Sequence, residues 1–186
     1  MAPIRITAAA LAVMAAFLVA FQATNAAFSS QTVNTGNAFA SGSVVLTDND
    51  AGVAMFNVGN MAPGDTATGC LEVTYSGSLD ADVRVFGAIA GGTGLEAYLD
   101  LEIDRGSGTC AAFGTATAVW DNATDGDLGV FLAGHTNFAT GRDTWAPTGG
   151  APNDTVPYRF IVTLQDNNSA QAKSSTVGFT WEAQNS

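Results

Sequence analysis

Apolar and polar residues alternate one by one over several short stretches of the chain. Leu99, Leu101 and Ile103 interleave with Asp100, Glu102 and Asp104. A period of two puts one face on a core and the other in water, so this stretch is predicted to be a half-buried strand. Tyr158, Phe160, Val162 and Leu164 repeat the pattern, as do Val177, Phe179 and Trp181. Leu71, Val73 and Tyr75 form a fourth set, and Val83, Val85 and Ile89 a fifth. Val44–Leu46, Ala54–Val58 and Ala116–Trp120 are shorter candidates. Between these runs lie clusters such as Asp48-Asn49-Asp50, Pro63-Gly64-Asp65, Ser76-Gly77-Ser78 and Gly91-Gly92, whose residue types favour turns. Pro63-Gly64-Asp65 is expected to join Ala54–Val58 and the strand after Thr66 as neighbours. Many short strands with frequent turns predict an all-β sandwich. Residues 106–153 are weaker in pattern and predict long loops, some strands and a short helix near Gly129–Gly134.

The N-terminus departs from this pattern. Arg5 precedes the apolar run Ile6 to Phe21, and small residues follow, Thr24 and Ala26 among them. A positive start, an apolar centre and a small-residue exit make a secretory signal peptide. The run is shorter than the ~20 residues that span a bilayer comfortably. Residues 1–26 are therefore read as the signal, with cleavage between Ala26 and Ala27, leaving residues 27–186 as a single secreted domain. Contact with a membrane is expected only through the signal, before its removal.

Charge and cysteines narrow the classes further. The chain has 6 Lys and Arg against 17 Asp and Glu. Without Arg5 the balance becomes still more acidic. Such a chain lacks the cationic surface that nucleic acid or an anionic membrane requires. Cys70 and Cys110 are the only cysteines. In an exported protein an isolated pair is most simply one disulfide, the alternatives being free thiols or a metal pair.

Catalytic chemistry finds few candidates. His135 is the only histidine, and a zinc-protease helix needs two four residues apart. His135 is read as a surface loop residue. Asp121 to Asp127 looks like a calcium loop but has Ala123 at its third position and Leu132 where an EF-hand places its bidentate Glu. No cofactor is implied, although clustered oxygens leave weak calcium binding open.

Several spaced motifs agree with one another. They are Ala27-Phe28-Ser29-Ser30, then Phe39-Ala40-Ser41-Gly42-Ser43-Val44-Val45-Leu46, then Asn60-Met61-Ala62-Pro63-Gly64-Asp65, then Gly77-Ser78-Leu79 opening the next strand. Together they resemble the TasA/camelysin (CalY) family of SipW-dependent biofilm-matrix and surface proteins. The likeness is good over residues 1–90 and 155–186 and poor in between. It implies a jelly-roll-type sandwich and a subunit of extracellular fibres or surface filaments, with or without companion matrix subunits. It also implies assembly by donor-strand exchange. The segment freed by cleavage, residues 27–37 with Phe28 and Val33 as its apolar strand residues, would complete the sheet of the next copy. The family label carries a rival as well, a camelysin-like surface metallopeptidase. A monomeric adhesin or carbohydrate-binding module is a third reading. It draws on Trp120, Trp145 and Trp181, of which Trp145 is expected to be exposed beside Pro147 and Gly149, whereas Trp181 alternates with core residues and is expected to be buried.

Overall fold

The computed structural model describes residues 41–50 and 53–186. Its strands are β1 (Leu46–Asp48), β2 (Thr66–Tyr75), β3 (Ala81–Gly92), β4 (Leu99–Gly106), β5 (Ala116–Asp121), β6 (Arg142–Trp145), β7 (Asp154–Leu164) and β8 (Ser175–Asn185). Two short helices, α1 (Asn122–Asp125) and α2 (Leu128–Gly134), follow β5. The strands form two antiparallel sheets, one ordered β1-β2-β7-β4-β5 and the other β6-β3-β8. The architecture is the all-β sandwich that the alternation predicts.

The alternating residues build the core directly. Leu71, Val73 and Tyr75 of β2, Leu99, Leu101 and Ile103 of β4, and Tyr158, Phe160, Val162 and Leu164 of β7 are all buried. Val83 and Val85 of β3 face them from the other sheet and are also buried. Ile89, further along β3, has run past the core and is exposed. Asp100, Glu102 and Asp104 point outward, as a period of two requires.

A jelly roll is a long hairpin rolled up, so that the first strand pairs with the eighth, the second with the seventh, the third with the sixth and the fourth with the fifth. Here β2 pairs with β7, β3 with β6, and β4 with β5. The fourth pairing is absent among the described residues, where β1 lies on β2 instead, with Leu46 opposite Tyr75. Among the described residues β8 pairs only with β3. Among the described residues the jelly roll is therefore complete except along the outer edge of its last strand.

Three sequence expectations change. Ala54–Val58 is not a strand. Met55 and Phe56 are both half-buried against the core, whereas consecutive strand residues would face opposite ways. The Pro63-Gly64-Asp65 turn is present but precedes β2 without a strand behind it. Trp145 is buried at 7% exposure rather than exposed. β6 continues up to Trp145, places it opposite Val83, and points its ring at Tyr158, 6.5 Å away. The first short strand also lies two residues later than expected, at Leu46–Asp48. The expected helix near Gly129–Gly134 is α2.

Candidate assembly edge

The feature that sets one side of this sandwich apart is the edge of β8. Its inward side chains, Val177, Phe179, Trp181 and Ala183, pack against the core but are only partly buried. Trp181 was expected to be buried and is partly so. It still touches the core rings, Tyr158 at 5.3 Å and Phe160 at 5.9 Å. A fully buried β8 would need a neighbouring strand on the outer side to cover these residues.

Residues 44–50 and 53–63 approach that side without supplying the strand. Val44, Leu46, Met55, Phe56 and Met61 pack partly against the core. Two cavities remain along β8. One, of about 230 Å³, lies between Leu46, Asp48, Asp50 and Val73 on one wall and Phe179 and Trp181 on the other. The second, of about 600 Å³, lies between Val58–Pro63 and Lys173–Ser175 at the start of β8. Asp48 sits at the first cavity. Its carboxyl is raised above the ordinary value by desolvation first, then by its hydrogen bond and charge repulsion with Asp50.

The opposite side is closed. Arg142 of β6 reaches β5, with Nε donating to the Val119 carbonyl at 3.3 Å and Nη2 pairing with Asp125 at 3.2 Å. Its guanidinium lies over the Trp120 ring at 5.2 Å. Helix α2 packs on both β3 and β4, and so on both sheets. Its Phe131 is fully buried, edge-on to Trp120 at 5.1 Å. Behind this side Asp143 joins the sheets. It accepts both Arg105 Nε, at 3.0 and 3.1 Å, and the Tyr158 hydroxyl, at 2.5 Å. Burial, and then the Asp143 charge, push the Tyr158 hydroxyl well above its usual pKa.

The other sequence candidates fall as follows. Cys70 of β2 and Cys110 of the β4–β5 loop are joined by a disulfide with Cα atoms 5.8 Å apart. Glu72 Oε1 accepts the Cys110 amide at 2.8 Å, which holds the loop on the same strand. His135 lies in the loop just past α2 and is partly covered there. Its ring has Trp120 at 5.1 Å and Phe131 at 5.2 Å, and its Nδ1 contacts the Thr140 carbonyl. The acidic loop resolves into helix caps, with Asp121 accepting the Ala123 amide and Asp127 that of Val130. Among the described residues no three His, Cys, Asp or Glu side chains are grouped to hold a metal ion. Nor is any helix among them long and apolar enough to cross a membrane. Ala26, Ala27, Phe28 and Val33 lie outside the described residues.

Comparison with known proteins bears on the N-terminal part. The family model described as camelysin metallo-endopeptidase matches residues 4–88. This range covers the motifs that carry the resemblance and runs from before β1 into β3, so the likeness to the camelysin family stands. No curated protein matches. Among solved structures, the crystal structure of the P pilus rod subunit PapA is similar at a TM-score of 0.38 and 11% identity, covering 76% of this chain and 99% of that one. At that score the likeness carries no argument.

Proposed function

We propose that this camelysin-like chain is an exported structural subunit that polymerises outside the cell, one copy completing the sheet of the next. On this reading residues 1–26 are removed, residues 27–186 form the mature domain, and Phe28 and Val33 sit on the donated strand. The observation that carries the reading is the edge of β8 that no described residue pairs with, where a jelly roll places its first strand. An open edge offers a row of free amides and carbonyls, with half-buried apolar pockets between them. An extended segment can add there, with main-chain bonds for affinity and pockets for alternate side chains giving specificity. Such a contact is head-to-tail and repeats into a filament rather than closing as a dimer.

The family description also names a metallo-endopeptidase. The fibre reading is preferred because it gives the open edge a role, and because a zinc-activated water needs several ligands where the chain offers one histidine. Zinc content of the purified mature protein separates the two, since a stoichiometric ion would favour the peptidase. The fibre reading itself is tested by electron microscopy of residues 27–186 at rising concentration, beside a deletion of Ala27 to Val33. The full mature chain is expected to form filaments and the deletion to stay a folded monomer. Normal filaments from the deletion would remove donor-strand exchange.

A further inference from the structure

We propose that residues 53–61 are a removable plug: they occupy the strand-accepting seam in the monomer and are expelled when residues 27–37 of a second copy pair with β8. This rests on the fibre reading above and adds what holds the seam before assembly.

The segment has the composition of a buried element and the bonding of a temporary one. Met55, Phe56 and Met61 reach the core, but Val53 and Val58 stay 69% and 52% exposed. Among the described residues, none of the amides from Ala54 to Met61 donates to a backbone carbonyl. The segment is therefore held by partial apolar contact rather than by a ladder, the class of structure that opens at low cost.

Its seat is ready-made. Position 69 is an inward position of β2, and it is glycine. A Cβ there would lie 2.3 Å from Met55 Cγ and 3.2 Å from Phe56 Cζ. The Met55 side chain thus fills a hole in the β2 face that a strand lying between β2 and β8 would fill with its own side chain. The cavity lined by Val58, Gly59, Asn60 and Met61 shows that this end of the plug is loosely packed.

Both ends of the plug are fastened, so it can leave without unfolding the domain. Before it, Asn49 Oδ1 accepts the Glu72 amide at 2.9 Å. After it, Asp65 Oδ2 accepts the Ala62 amide at 2.7 Å, the Gly64 amide bonds to the Leu164 carbonyl, and the Leu164 amide to that of Asp65. Asn60, in the left-handed region at φ 57°, lies at the turn between plug and anchor.

A monomer competent to accept a strand is then the fraction with the plug out, and assembly slows in proportion to that fraction. Weakening the plug therefore lowers monomer stability while speeding assembly, a combination that ordinary core damage does not produce. The test is Met55→Ser with Phe56→Ser in the mature protein, followed by melting temperature and by the lag of filament growth. The expected result is a lower melting point with a lag shortened on the order of tenfold. If that variant does not fold, Met55→Ala alone is used with the same criteria. A folded variant that assembles at the parent rate or more slowly overturns the plug. Chymotryptic cleavage after Phe56 supplies the second reading: it should be faster in filaments than in monomers, and equal or slower cleavage also overturns the plug. These failures leave the fibre reading standing, whereas filaments from the Ala27 to Val33 deletion would end both.

Discussion

The two long sides of the sandwich solve the same problem differently. Each must close the gap between the edge of one sheet and the edge of the other. On the β5–β6 side the gap is filled by a helix, an aromatic cluster and an arginine that bonds to both a carbonyl and a carboxylate. On the β1–β8 side it is filled by an irregular segment, with cavities beside it and no strand on β8. The contrast shows up in matched positions. Val83 and Val85 of β3 are wholly buried, yet Phe179 and Trp181 on the adjacent strand β8 are not. Among the described residues one side is closed by packing, and the other leaves β8 with a partner on one flank only.

This comparison is most sharply tested by truncating an aromatic on each side. Phe131→Ala on the closed side is expected to cost roughly 3–5 kcal/mol, as full burial of a ring implies. Trp181→Ala on the open side should cost about 2 kcal/mol in the monomer, because part of the ring is already in water. Urea unfolding of both checks this, and a larger loss at Trp181 would break the comparison.

Replacing Cys70 and Cys110 together by serine should cost roughly 2–4 kcal/mol, given the 40-residue separation the bond closes. The disulfide ties β2 to the β4–β5 loop. The domain should still fold, since a chain of this size holds a core without a covalent tie.

Tyr158→Phe should cost roughly 1–3 kcal/mol by removing a buried donor to Asp143. It also has a pH signature. The folded hydroxyl holds its proton well above 10.0, its ordinary value. The unfolded chain therefore releases that proton first as pH rises, so stability is full below about pH 10 and declines above it. Alkaline unfolding curves of the parent and of Tyr158→Phe should converge in that range, and a constant offset at all pH values would exclude the assignment.

Asp125→Asn is expected to have the smallest effect, below about 1 kcal/mol, because both partners of the Arg142 pair are partly solvated. A loss well above that would mean that the closed side depends on the ion pair rather than on packing around Phe131.

What the residues alone determined is local. Strict alternation placed β4, β7, β8 and most of β2 and β3, because a period of two sorts side chains between core and water whatever the partner strand. The clustered glycines and prolines marked where these strands stop, and the camelysin-like motifs were legible as spaced words. What only the tertiary structure decided depends on which edges meet. Ala54–Val58 has the residues of a strand but finds no edge to pair with, so Met55 and Phe56 both turn inward at Gly69. Trp145 stands next to turn residues yet is covered because β6 lays it opposite Val83 and against Tyr158. The open edge of β8 is the plainest case. Val177, Phe179 and Trp181 alternate as well as any buried strand, and nothing in their order tells that the neighbour on one side is missing. Burial is a property of pairs of surfaces, and a chain records only one member of each pair at a time.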